Sequence, residues 1–527
     1  MDQYSERQQA KQVIAKFYAL QISFDDSAMT SIWSLIWPTH TGASLSKTLI
    51  NSAEVKQSKA LAVVSFVCAL YLGLTLTLLG LDKFHYILAG GKKFATFPDW
   101  QTQVGIGLSY LILNLLYLIW FFAAAKPQAS AQFSSLLKRC AVFLAIAFVA
   151  YPLGDDIYLY LHSGLMNLSD VNPFLVRAKA FTTAMSPFVD WGQTSTYGPL
   201  SQLLFTAAAA IIPAHPVWAI YGFKSLCLGL HILNGYLIWR LLSFPERDTI
   251  ALAYLLNPLL LMEQVGSGHV DVLLSTSAIV AVGSLTTRRY LSASVALWGG
   301  FLAKTLPIIW MPLVGIFLFR QKRWRSLIGA TALSIALIAA LWVSFLPGMR
   351  AWQSLLNPGV AGQYQSSLHA LANSWLHLFH LFLPTAITLA QINHVLLKFS
   401  HYTIIAFLGF YLWLALRGYT RSHYTELNLV EDIGWATLTL LLYATPWLMP
   451  WYASILLTIA ALIPQAQRFG MTSLAFGVSS SAQYLLQGHN SLKSLVAVGV
   501  PTLVLIVGSQ FLQSRQPSAS TQTPVQS

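Results

Sequence analysis

The feature that most constrains this chain is its succession of long apolar runs, such as "LAVVSFVCALYLGLTLTLLGL" at 61–81 and "LIGATALSIALIAALWVSFL" at 327–346. A run of about 20 apolar residues reads as a helix across a bilayer. Inside lipid, backbone polar groups must be satisfied within the segment itself, which leaves helices or closed barrels. The rest of the composition agrees. The 527 residues are 56% hydrophobic and only 9% charged, where a soluble domain carries about 25% charged residues. The chain is expected to be all-α and polytopic, with about fourteen transmembrane helices. They fall near 59–81, 103–124, 137–153, 216–240, 249–264, 271–287, 290–303, 306–320, 325–345, 400–417, 433–446, 452–465, 470–486 and 494–512. Several are short for a span and are expected to be broken helices lining a cavity. A further stretch at 374–397 could insert as well.

The net charge of +13 does not point to nucleic acid. Lys and Arg sit in short turns between apolar runs, where basic residues set topology. On this map most of them fall on one side, for example Arg240, Arg288, Arg320, Arg323, Arg417 and Arg468. That places both termini in the cytoplasm, although Lys83, Lys92 and Lys93 run against the bias. Residues 1–58 form a cytoplasmic N-terminal segment. The first apolar run begins near Lys59, too late for a cleavable signal peptide. Residues 59–515 form the membrane domain, and 516–527 read as a disordered cytoplasmic tail. The polar loops, including the large one at 154–215, fall on the opposite, extracytoplasmic face.

Cys68, Cys140 and Cys227 all lie in apolar runs. They have neither disulfide nor metal spacing and read as packing residues. There is no P-loop, no paired CxxC and no Ser-His-Asp arrangement, so an energy source must arrive with the substrate.

Within the large loop, "DIYLYLHSGLMNL" has helical apolar spacing and reads as an interfacial helix. "NPF" ends it, and "STYGPL" opens a second short helix over 199–212. Asp155 and Asp156 stand together before the first helix, in a chain with only 18 acidic residues. One of them can cap that helix and complement its dipole. Adjacent carboxylates also repel, and one at the membrane face can act as a general base. Capping and catalysis both stay open. Glu263, His269 and Asp271 cluster where "NPLLLMEQVGSGHVD" surfaces, as cavity-facing ionisable residues do. A hydrated turn explains them equally, and their spacing is not diagnostic of a divalent cation. Lys304 in "FLAKTLPIIW" can snorkel to the interface or neutralise a phosphate as a point charge. "TPWLMPWYAS" reads as an aromatic belt, with a sugar-stacking platform as the alternative. Lys224 is a lone charge within a span and shares a helix face with His231 and Asn234, an arrangement that reads as structural.

"GDDIYLYLHSGLMNLSDVNPF", "STYGPL", "NPLLLMEQVGSGHVDVLL", "FLAKTLPIIWMPL" and "PWY" occur in an order that resembles GT-C membrane glycosyltransferases. The chain is most similar to bacterial polyprenyl-phosphomannose-dependent alpha-mannosyltransferases, over roughly 150–465. The resemblance implies a GT-C fold that moves a hexose, mannose, from a polyprenyl-phosphate sugar to a glycan or glycolipid acceptor. The transfer would occur with inversion on the extracytoplasmic face of the cell membrane, without a nucleotide; no cofactor is expected, and a divalent cation is not indicated by the residues. It implies Asp156 as the base, with Asp155 able to share that role. Lys304 would be a phosphate contact, and His269, Asp271, Tyr197, Trp451 and Tyr452 would line the site. Two positions depart from the pattern: Asp155 stands where a non-acidic residue is common, and Val270 where Asn is frequent. The rival expectation is a lipid or glycan flippase, which should show inverted repeats and charges near the bilayer midplane. No such repeat is visible.

Overall fold

The computed structural model describes residues 47–91, 99–123, 132–152, 154–243, 246–356, 363–383 and 388–514. Residues 1–46, Lys92, Lys93 and the segment from 515 onward, including the tail, lie outside the described residues. Among the described residues, 47–60 with 118–123 belong to one compact unit and the others to a second. The site and the helices around it belong to the second. The described residues are helical, joined by turns and two isolated β-bridges, with no strand among them.

Apolar composition has two outcomes here. Six described helices are long and apolar enough to cross a membrane: Ala60–Leu88, Trp100–Ala123, Pro216–Leu241, Trp324–Ser344, Leu389–Thr420 and Asn490–Gly508. A seventh span arises if the bent pair Glu246–Leu256 and Pro258–Gly266 is counted as one. These long helices turn much of their apolar surface outward. In Trp324–Ser344 only 6% of the most apolar window is buried, and Ile328, Ile335 and Val343 are exposed. Its other side packs on the protein through Leu333, Leu337 and Leu341, and an apolar face left open suits lipid. The second group is short: Asp271–Thr286, Tyr290–Ala303, Leu306–Arg320 and Pro450–Leu462. These helices form one core with Leu274, Leu297, Trp310 and Leu456; Pro450–Leu462 is buried along most of its length, while Val280, Leu291 and Phe319 of the other three are exposed. They account for four of the fourteen expected spans, and six or seven helices meet the length requirement rather than fourteen. The stretch at 374–397 divides between Leu368–Phe382 and the first residues of Leu389–Thr420.

The bent pair has an identifiable cause. Asn257 precedes Pro258, and its side chain accepts hydrogen bonds from the backbone N–H groups of Leu259 and Leu260. An Asn cap followed by proline at the first helical position restarts a helix in a new direction. The two segments meet at 42°. The new helix then widens by one residue per turn over Leu261–Gly266, and the Ser267 N–H reaches the Met262 carbonyl at 2.7 Å. Gly268 follows at φ +68°, a left-handed conformation that disfavours side chains with a Cβ. Wide turns of this kind re-aim side chains and recur at functional sites.

The large loop is folded into the protein. Its first helix is Asp156–Leu168 and its second is Pro199–Ala209. Tyr158, Phe188 and Phe205 share a core with Phe84 and Phe223 of two spanning helices. The first helix is buried on most sides, so its apolar residues meet protein where an interfacial helix would meet lipid headgroups. Two glycines allow close packing. A Cβ at Gly164 would collide with the Phe205 carbonyl, and one at Gly198 with the Leu302 carbonyl. Lys224 is fully buried and donates to the Ala150 carbonyl. His231 and Asn234 bond to Gln264 and Tyr254, so this helix face ties spans together, as its sequence suggests.

Gly198→Ala forces backbone apart and should cost about 1–3 kcal/mol. Gly229 has open space around its Cα, so Gly229→Ala is the matched control and should be neutral or slightly stabilising. The apparent melting temperatures of the two variants in detergent provide the comparison.

Candidate active site

Several chain segments deliver side chains to one place. Asp156 is the first residue of its helix, and Asp271 is the first residue of Asp271–Thr286. Both carboxylates complement the positive end of a helix. Lys304 ends the helix Tyr290–Ala303. Tyr197 precedes the Gly198–Pro199 start of its helix. Trp451 and Tyr452 form the turn that opens Ala453–Leu462. Backbone contacts lock these ends together. Tyr197 and Lys304 form an isolated antiparallel bridge, and the Gly198 N–H donates to the Ala303 carbonyl at 3.0 Å. The turn before Trp451 is held by residues 365–367, whose Ser367 hydroxyl donates to the Pro446 carbonyl at 2.6 Å.

Charge is arranged in pairs. The Lys304 ammonium donates to both Asp271 oxygens at 2.9 Å and lies 4.6 Å from the centre of the Tyr452 ring. Burial, the largest single influence, disfavours this ammonium, but Asp271, Tyr452 and Asp156 together outweigh it and hold the lysine above its ordinary range. The Tyr197 hydroxyl donates to Asp156 at 3.3 Å and accepts from Tyr160 at the same distance. His269 Nδ1 is 3.7 Å from Asp156, and its Nε2 is 3.3 Å from Glu263. The His269 ring stacks on Trp451 with centroids 4.0 Å apart. Burial raises the Asp156 carboxyl above the usual carboxylate range, opposed by His269, Lys304 and the Tyr197 hydrogen bond.

Seven of the residues singled out in the sequence therefore join one connected cluster: Asp156, Tyr197, His269, Asp271, Lys304, Trp451 and Tyr452. Asp155 does not join it through these contacts. Its carboxylate lies 3.8 Å from Lys83, which explains a lysine that runs against the charge bias. Consecutive residues on a helix point about 100° apart, so the two aspartates diverge. Asp155 occupies the capping position but makes no side-chain cap bond, so the capping role considered for it is corrected. Among the described residues no group of His, Cys, Asp and Glu could hold a metal ion.

Three further residues complete the arrangement. Tyr160 lies one turn after Asp156, a spacing that puts both on one face. Glu263 was visible as an ionisable residue in an apolar run, without a role. Tyr484 donates to Glu263 at 2.9 Å, and no local pattern marks it.

Residues 58–320, about half of the chain, match the family model of the alpha-(1->6)-mannopyranosyltransferase N-terminal domain. The chain belongs to this family. The matched residues include Asp156, Tyr197, Glu263, His269, Asp271 and Lys304, while the Trp451 turn lies beyond them. No curated protein and no solved structure matches the chain. Membership in a mannosyltransferase family, together with the apolar helices, makes this a multi-pass membrane glycosyltransferase.

Breaking the Lys304–Asp271 pair should be costly in one direction. Lys304→Met leaves Asp271 buried and unpaired, at about 3 kcal/mol or more. Lys304→Met/Asp271→Leu should recover over half of that loss. Thermal denaturation in detergent checks both values.

Proposed function

We propose that the protein is a GT-C hexosyltransferase that moves mannose from a polyprenyl-phosphate sugar to a lipid-linked or cell-envelope glycan. The reaction takes place on the extracytoplasmic face of the cell membrane, with both termini in the cytoplasm. The single observation that carries the assignment of the base is exposure. The Asp156 side chain is 29% exposed, against 3% for Asp271 and 0% for Glu263. Asp156 is the one of these three carboxylates that an acceptor can reach.

In the proposed reaction the acceptor hydroxyl gives its proton to Asp156 as its oxygen bonds to the anomeric carbon. The bond from that carbon to the phosphate oxygen breaks on the opposite side. Its electron pair leaves with the polyprenyl phosphate, and the anomeric centre inverts. Two features support a phosphate here. Lys304 directs two N–H donors to Asp271 and has a third to offer. The N-terminal ends of the helices at Asp156, Pro199, Asp271 and Ala453 also gather at the cluster, and helix N-termini favour anions. Trp451 is buried with His269 on one ring face, which leaves the partly exposed Tyr452 as the aromatic residue for a sugar ring. Asp155, paired with Lys83, takes an indirect part by adding negative charge beside Asp156. Positioning and electrostatics supply most of the rate. No cofactor enters the scheme.

Asp156→Asn, inserted and folded, should lower mannosyl transfer by about 10²–10⁴-fold. Full activity in that variant overturns the assignment. The pH profile gives a second check. The base must be ionised, and burial raises its proton affinity. Activity should therefore fall on acidification at a pH above the range of an ordinary aspartate.

A further inference from the structure

Glu263 is the charged residue of the cluster that the proposed reaction leaves without work. It is fully buried, in the widened turn between Pro258 and Gly268. One carboxylate oxygen accepts from the Tyr484 hydroxyl at 2.9 Å. The other lies 3.3 Å from His269 Nε2, at ion-pair distance, and makes no hydrogen bond among the described residues. A carboxylate taken out of water is costly unless a charge or strong donors meet it. One tyrosine hydroxyl meets half of that need. His269 is the ionisable partner within reach of the rest.

Two carboxylates, a hydroxyl and an indole surround the His269 ring. Nε2 faces Glu263, and Nδ1 faces Asp156 at 3.7 Å with the Tyr160 hydroxyl at 3.5 Å. One ring face lies against the Trp451 indole, a surface that attracts cations. Behind Asp156 stand Tyr197 and the Lys304–Asp271 pair, and behind Glu263 stands Tyr484. Lys224 approaches the same turn at Gly268, but its ammonium is committed to the Ala150 carbonyl. The turn also fixes the ring by its backbone, since the His269 N–H donates to the Glu263 carbonyl at 3.0 Å.

We infer that Glu263 is a positioning residue acting through His269: its carboxylate holds a proton on the imidazole, and the imidazolium keeps the neighbouring Asp156 ionised for its work as base. The inference rests on the reading of Asp156 given above. Lys304 cannot fill this role alone, because both Asp271 oxygens already take up its charge. In the cycle the imidazolium gives up nothing. It faces a carboxylate before the acceptor proton arrives on Asp156 and a neutral acid after.

The test is to follow deuterium exchange at the His269 C2–H across pH by mass spectrometry in the purified, full-length protein. Exchange at this carbon reports the protonation of that one ring and needs no substrate. In Glu263→Gln, which keeps the shape and an acceptor for Tyr484, His269 should lose its proton at a pH lower by about one unit or more. In the transfer assay, kcat should drop about tenfold or more, and the donor KM should stay within about twofold. The alkaline limb of kcat should move to lower pH. In a His269→Gln background, Glu263→Gln should have no further effect on kcat, because the carboxylate acts only through the ring. An unchanged His269 exchange midpoint in Glu263→Gln overturns the inference, as does an equal loss of kcat in both His269 backgrounds. If Glu263→Gln does not fold, Tyr484→Phe takes its place. It leaves the imidazole as the main donor to Glu263, so the His269 midpoint should rise, and an unchanged midpoint overturns the inference. Because exchange is read without substrate, its outcome is separate from that of Asp156→Asn, which tests the base itself.

Discussion

A charge removed from water must be met by another charge, and the Lys304–Asp271 pair shows how much of this structure follows from that rule. The pair joins the last residue of one buried helix to the first residue of another. The backbone bridge to Tyr197 extends the junction into the large loop, and Tyr197 in turn holds Asp156. Four separate pieces of chain thus depend on one ion pair for their mutual register. Two such helix ends could not be brought together in a low-dielectric interior if either charge stood alone. Paired, they form a rigid floor beside which one carboxylate, Asp156, stays open.

The helices divide into an outer and an inner set for the same reason. Long helices such as Trp324–Ser344 present apolar residues outward. Buried polar residues, on the short helices and on the inner face of the long Pro216–Leu241, must be satisfied within the protein. The network His231–Gln264–Ser275–Thr458 does so across four segments, with contacts of 3.0–3.1 Å. It lies next in sequence to Glu263, so the segment bearing the site is anchored from within. Broken and bent helices are tolerated at membrane depth only where protein or a water-lined cavity covers them, which is where the Asn257–Pro258 break sits.

Much of this was legible in the sequence. The helices Asp156–Leu168 and Pro199–Ala209 start where their polar and proline signals place them, and the short inner helices fall close to their expected limits. The number of spans was not legible. Apolar composition reports removal from water and does not distinguish burial in lipid from burial in protein. Asp156, His269, Asp271 and Lys304 stand out where apolar runs end, whereas the family resemblance is what ties Tyr197, Trp451 and Tyr452 to a site. The residues alone leave capping open for the aspartate pair, and Asp155 makes no cap bond; the 100° step between neighbours on a helix separates it from Asp156. The partnership of Glu263 with Tyr484 spans 221 positions, and no local pattern carries information over that distance.

The rival reading, a flippase, needs charges at the bilayer midplane and two repeats that alternate access. Family membership speaks for mannosyl transfer instead, and Asp156 is the base proposed for that chemistry. The two readings part most directly in detergent solution, where no sealed compartment exists. Purified protein incubated with radiolabelled polyprenyl-phosphate mannose and a glycan acceptor should yield labelled glycan and free polyprenyl phosphate in equal amounts. Label that stays on the lipid while the protein is folded would contradict the account.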